Sequence, residues 1–426
     1  MRPGHPSPTI RSTTASDPAR ESTIDPTIGR VRAVHEQARR GLTVSVAFVF
    51  VAAVGLAVPA IGGWWSPLHL FAVGGLLGAI SAVTPMLAVT WSAAPAPRTS
   101  VVTTQRWTLA AGAVALAVGR EQDLASLTLL GGTAVTVSIA AMIPILWGIR
   151  RTATTPRFRP AIDAYLLAFT AGVAGSAVGL LLASGNAGRH WAELRSVHLT
   201  LNVLGLVGLV IAGTLPWFAA TQLRARMPAR ARASRIRIAT WTLAVATGGA
   251  VVGHLRGDPI LVTTALVVYV AALTSIVAML PMITAKRWRW AGPRVAQLGA
   301  GIAWWIAMVL LLAVAAANGN DDRRVLLTLV IGGYAQILVA SLAYLGPVLR
   351  GGGHRALSAG FGITRSWTSL AAGNAAALGA LLEARPVLAV ALVIWGSDAV
   401  WRAVRLAASH VPAPTDRPLT TGSDHR

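Results

Sequence analysis

The side chains whose type and placement could do chemistry in this sequence are four histidines, His69, His190, His198 and His254. Neutral imidazole is a common ligand for haem iron and copper. Two or three imidazoles at the mouth of a helix bundle can hold a metal ion or a haem. His69 and His198 stand 16 and 18 residues before Pro85 and Pro216, near the starts of two similar apolar runs. His254 ends the next apolar run and could add a third ligand for copper, so the candidate metal set is His69, His198 and His254. The alternative is a polar role: a histidine at a helix end can hydrogen-bond a neighbouring carbonyl and do nothing more. None of the four forms an i, i+4 pair that would put two ligands on one helix face.

Other catalytic chemistry finds few carriers. There is no cysteine, hence no thiolate metal site, disulfide framework or cysteine nucleophile. No phosphate-cradling glycine loop with Lys-Ser/Thr, nucleophile elbow or His-Glu-x-x-His run occurs. Asn202, Gln336 and Asn374 lie inside apolar runs, where polar groups are expensive. They suit interhelical hydrogen bonds. Asp163 and Asp398 fall near span ends within reach of arginines and suit salt bridges. Gly172, Gly175 and Gly179 mark close helix packing.

The elements that must position these residues are apolar. Hydrophobic residues make up 54% of the 426 and charged residues 12%, half the charge of a soluble protein. Runs long enough to cross about 30 Å of hydrocarbon recur from Leu42 to Arg405. We read twelve: 42–61, 68–91, 104–119, 126–149, 161–184, 196–220, 236–255, 259–284, 294–317, 323–349, 364–384 and 386–406. The expected architecture is all-α, a polytopic membrane domain over 42–406. It is flanked by a disordered basic tail, 1–41, and a disordered tail, 407–426. Arg30 to Arg40 could form a short amphipathic helix on the membrane surface. Trp64, Trp65, Trp91, Trp191, Trp288 and Trp290 fall near span ends, where amphipathic rings prefer to sit.

A net charge of +22 would ordinarily suggest nucleic acid, but its distribution points to lipid. With the N-terminus inside, the cytoplasmic segments and adjoining span ends hold 30 of the 37 basic and 8 of the 15 acidic residues, and the outer side 7 of each. The whole excess is cytoplasmic, which is the positive-inside bias. It places both termini in the cytoplasm of a cell-membrane protein and argues against a nucleic-acid partner. The basic runs Arg224 to Arg237 and Lys286 to Arg294 are expected beside anionic headgroups.

An internal repeat adds detail. Pro85, Pro216 and Pro347 fall in the second, sixth and tenth spans, 131 residues apart in each case. In the fourth and eighth spans Ser138-Ile139-Ala140-Ala141-Met142-Ile143-Pro144 matches Ser275-Ile276-Val277-Ala278-Met279-Leu280-Pro281, 137 residues on. Both echoes skip four spans, so the sequence predicts three similar four-helix units running in the same direction. A transporter of the major-facilitator kind would divide into halves of six.

A family resemblance follows from these spans. Val197-His198-Leu199-Thr200-Leu201-Asn202-Val203-Leu204-Gly205 with Gly213-Thr214-Leu215 resembles the membrane region of actinobacterial copper-oxidase-type proteins. Gln336-Ile337-Leu338-Val339 and Tyr344-Leu345-Gly346-Pro347-Val348-Leu349 are similar to the same region. His69 through Trp91 resembles the histidine-bearing second helix of the nitric-oxide-response haem–copper membrane family. The resemblance implies a haem–copper oxidase subunit I-like bundle that handles haem, copper or nitric oxide at its outer face. It also implies a cupredoxin-type partner, since many relatives carry that domain after their last span. Two departures matter. A second histidine that the family often carries two residues past the first is here Thr200. The tenth span has Tyr334 and Gln336 but no histidine, and the seventh only His254, so a full oxygen-reducing centre is not expected. A secondary transporter of an unknown small molecule, or a scaffold without cofactor, remains the alternative.

Overall fold

The structure is a computed structural model that describes residues 26–58, 64–320 and 322–409. Both expected tails, apart from 26–41 and 407–409, lie outside the described residues, as does Asp321. Among the described residues every regular element is a helix. Eleven helices are long and apolar enough to cross a membrane, and the chain is a multi-pass membrane protein. We number the main helices α1 Pro26–Ala57, α2 Trp65–Ser92, α3 Thr99–Glu121, α4 Ala125–Thr152, α5 Arg159–Ala183 and α6 Gly188–Gln222. They continue with α7 Ala233–Arg256, α8 Pro259–Ala278, α9 Pro293–Asn318, α10 Arg323–Arg350, α11 Trp367–Leu381 and α12 Arg385–Ala408.

Three elements differ from expectation. First, α1 begins at Pro26, so Arg30 to Arg40 are its opening turns and not a separate surface helix. They are anchored there: Gln37 Nε2 donates to Thr99 Oγ1 at 3.0 Å, and Arg30 Nη1 to the Ala93 carbonyl at 2.9 Å. Second, α11 has 15 residues, about 22 Å at 1.5 Å per residue, short of a full crossing. It is bounded by a Ser366 cap, whose Oγ accepts from the Ser369 amide at 2.8 Å, and by Glu383 at φ 54°. The expected twelve spans are thus eleven long helices and one short one. Third, α8 stops at Ala278 instead of running to 284. Arg230 terminates it, with Nε donating to the Ala278 carbonyl at 2.6 Å and Nη2 to that of Leu280 at 2.8 Å. The matched heptads therefore take different forms, because Pro144 lies inside continuous α4 while Pro281 follows the end of α8.

The bundle is apolar on its outside as well as its inside. Val46, Phe50, Trp107, Leu130, Ile238 and Val393 are among the large apolar residues left exposed, as befits a surface solvated by lipid. Packing follows chain order. The pairs α3–α4, α7–α8 and α11–α12 lie side by side, α4 packs on α5, α8 on α9, and α12 returns to α1. α2, α6 and α10 sit inside: their apolar windows are 67%, 83% and 61% buried, against 44% or less for the other long helices.

Those same three helices share a further departure from ideal geometry. Each carries a π-helical segment, Leu70–Leu77 in α2, Thr200–Gly208 in α6 and Leu329–Ala335 in α10. The π-helix is rare and often marks functional sites. Each segment holds two glycines, Gly74 and Gly75, Gly205 and Gly208, Gly332 and Gly333, and each is followed by the in-helix proline. At Gly75 an added Cβ would stand 2.7 Å from Val49 Cγ2 of α1, and at Gly205 2.8 Å from Ala171 Cβ of α5. Small residues there let the widened helix approach its neighbour.

Candidate functional site

His69 and His198 stand at the starts of the first two π segments, one and two residues before them. His198 is held by α5. Its Nδ1 lies 2.8 Å from the Gly175 carbonyl, which has no proton to give, so Nδ1 carries the hydrogen and donates. Asn202 Nδ2 is also 3.3 Å from Nδ1, but its shorter bond, 2.8 Å, goes to the His198 carbonyl. The Gly175 contact sets the tautomer. Room for the ring comes from the glycine face of α5. An added Cβ would be 2.7 Å from His198 Cε1 at Gly179, 2.5 Å from Asn202 Nδ2 at Gly175 and 2.9 Å from Leu206 Cδ2 at Gly172. The three glycines thus receive residues 198, 202 and 206, one face of α6 at i, i+4 spacing.

His69 is anchored in the same sense by its own helix. Its Nδ1 is 2.9 Å from the Trp65 carbonyl, and its ring stacks on Trp65 with centroids 3.7 Å apart and planes at 21°. Arg120 of α3 lies 5.8 Å from the same indole. Both imidazoles therefore spend Nδ1–H on a carbonyl and keep Nε2 for another partner. Metal-bound histidines give their other ring N–H to such an acceptor, which fixes tautomer and orientation.

The other candidates are placed differently. His254 lies within reach of Asp322, which pairs with Arg195 at 3.5 Å. His190 accepts at Nε2 from Arg189 Nε at 3.1 Å on the exposed rim. Among the described residues no three His, Asp or Glu side chains gather as a metal-binding group, so His254 is not brought in as a third ligand. The intramembrane amides do bridge helices: Trp304 Nε1 of α9 donates to Asn374 Oδ1 of α11 at 2.8 Å, with Gln336 Nε2 of α10 at 3.5 Å. Asp163 and Asp398 pair with Arg150 at 2.5 Å and Arg402 at 2.9 Å.

Beneath the histidines the centre is filled by aromatics. Tyr334 donates to the Val203 carbonyl at 2.9 Å and Tyr269 to that of Leu204 at 3.2 Å, both within the π segment of α6. Trp305 packs between them, 5.5 Å from Tyr334 and 6.3 Å from Tyr269. In the sequence Tyr334 stands out only as a position in the tenth span that lacks a histidine. Its buried hydroxyl, in a span with few other polar groups, was the available signal.

No model of a known protein family matches the chain, and comparison with curated proteins found no match.

Proposed function

We propose that the chain is a haem–copper-oxidase-like membrane protein that binds haem or copper through Nε2 of His69 and His198. One observation carries this reading: both rings are oriented by an Nδ1–H···O=C bond, at 2.9 and 2.8 Å, with Nε2 left over. The bond from His69 stays within its own helix and that from His198 crosses to α5, so what the two rings share is the tautomer. Copper held by the two imidazoles would leave a position for a small diatomic ligand such as nitric oxide. A haem iron held by both would leave none and would serve electron transfer. The protein's part is to hold the imidazoles at fixed tautomer and angle. The proposed site is one without a full oxygen-reducing centre, because the tenth span carries no histidine and the seventh only His254. A cupredoxin-type copper protein at the histidine end is the partner this reading implies.

The architecture proposed with it is three four-helix units, α1–α4, α5–α8 and α9–α12, arranged in a ring. Support comes from the repeated π segments and prolines in α2, α6 and α10, and from the cyclic packing α4 on α5, α8 on α9 and α12 on α1. Orientation follows the charge: the arginine-rich end and both termini face the cytoplasm of the cell membrane, and His69 and His198 the outside.

The test is an absorption spectrum and metal analysis of the purified protein and of a His69→Ala, His198→Ala double variant. A haem Soret band or stoichiometric copper in the native chain, lost in the variant, is expected. Cofactor content that survives the double substitution overturns the site. A colourless, metal-free protein that moves a solute in vesicles makes it a transporter.

A further inference from the structure

At the end of the bundle opposite the histidines, charge is buried without a counter-ion. Arg294, in the first turn of α9, is 2% exposed. Its guanidinium carbon lies 5.2 Å from the Tyr344 ring and 4.8 Å from that of Phe361. Among the described residues its only hydrogen bond is a long one, from Nη2 to the Gln222 carbonyl at 3.5 Å, and Nε and Nη1 have no partner there. Phe361 belongs to a helix, Gly353–Thr364, that covers this end after the turn at Gly351–Gly353.

Two more arginines stand over one indole, that of Trp290. Arg224, exposed, lies 3.3 Å from the Trp290 ring. Half-buried Arg365 donates through Nη2 to the Trp290 carbonyl and leaves Nε unpartnered. Both are within electrostatic reach of Arg294. Trp290 Nε1 and both amide atoms of Gln222, itself 0% exposed, are also buried without partners. α9 adds its N-terminus, uncapped by any side chain and with no acid in its first turn, the end where a helix favours negative charge. None of the three arginines joins an ion pair among the described residues. An unpaired buried guanidinium is costly, and buried polar atoms without partners call for an unseen ion or ligand.

We propose that Arg224, Arg365 and Arg294 form a binding site for a phosphate-bearing anion. The phosphate is held at the rim between Arg224 and Arg365, and Arg294 supplies positive charge from beneath. The step from exposed Arg224 through half-buried Arg365 to buried Arg294 gives an approach from the surface, and planar guanidinium groups suit phosphate oxygens. Basic pockets between membrane helices take lipid headgroups, while free phosphate offers the same oxygens.

Native mass spectrometry of the full chain in detergent, with phosphatidylglycerol, phosphatidylcholine or inorganic phosphate added, separates the sources. Preferential retention of phosphatidylglycerol over phosphatidylcholine is expected, reduced about tenfold or more in an Arg224→Gln, Arg365→Gln double variant. Those positions leave buried Arg294 in place. An Arg226→Gln, Arg232→Gln double variant, which alters exposed arginines outside the cluster, should retain the lipid as the native chain does. Binding of inorganic phosphate that competes with the lipid and is lost in the same cluster variant assigns the site to the free anion. Equal retention of both lipids with no phosphate bound overturns the proposal. So does an equal loss in the two double variants.

Discussion

The ring of His198 rests so close to Gly179 that a methyl group on that glycine would stand 2.7 Å from its Cε1 and 2.8 Å from its Nδ1. The position of a candidate ligand is thus set by the absence of a side chain on the neighbouring helix. Gly179→Ala should push the imidazole off the Gly175 carbonyl while leaving His198 in the chain. Cofactor affinity should fall by about 10–100-fold, the usual cost of disturbing a ligand's support. Gly148→Ala, where an added Cβ meets nothing within 4 Å, is the control. Spectra and metal content of the two variants check it, and equal loading would show that the ring is not held this way.

Topology is testable without purification. Reporter fusions after Asn186 and Asn320 should report outside, and one after Arg226 inside, since the arginine excess lies at the Arg226 end. A reversed result at two of the three sites turns the bundle over.

Gln105 of α3 and Ser138 of α4 tie their helices together, with Nε2 donating to Oγ at 2.9 Å and Oγ donating to the Gln105 carbonyl at 2.8 Å. Ser138→Ala should destabilise the protein by about 0.6 kcal/mol and at most about 1.7 kcal/mol, the range for hydrogen bonds inside membranes. Reversible unfolding in mixed micelles measures it.

The hydroxyls of Tyr269 and Tyr334 both end on carbonyls of the π segment in α6. A Tyr269→Phe, Tyr334→Phe variant should lose about 1 kcal/mol per hydroxyl, felt locally. Amide hydrogen exchange should quicken across 203–208 and stay unchanged in α12. Uniform quickening would mean a general loss of packing.

The spans were legible because about twenty consecutive apolar residues have few other uses, and the observed ends mostly fall within a few residues of those expected. What escaped depends on contacts between distant residues. Pro281, three residues past Ala278, is a stop signal that reads in the sequence like the in-helix Pro144. What settles the end is Arg230, 48 positions earlier, which takes the Ala278 carbonyl. Arg294 reads as the last member of a surface basic run, yet Phe361 and Tyr344 bury it. The helix at 353–364 is hidden in the sequence because three glycines, all at positive φ, lead into it, and such a run looks like a flexible turn. The histidines were visible as residues, but their anchoring was not, because Gly175 contributes only its carbonyl. The glycines of α5 were correctly read as packing positions; which side chain each receives required the structure.

A π segment is in effect a helix holding about one residue more than its turns need. At 3.6 residues per turn, one surplus residue in a regular α-helix turns everything beyond it by about 100°, and the wider π turns absorb it. In α2 and α6 that surplus lies between the histidine and the proline, so the two ends of each helix keep their bearings in spite of it. Removing one residue from Leu70–Leu77 would return that stretch to α-helix and leave His69 and Pro85 near their present bearings. A deletion between Gly78 and Thr84 would instead swing them apart by about 100°. Each inner helix thereby carries a residue that could be lost without re-aiming its histidine end against its arginine end.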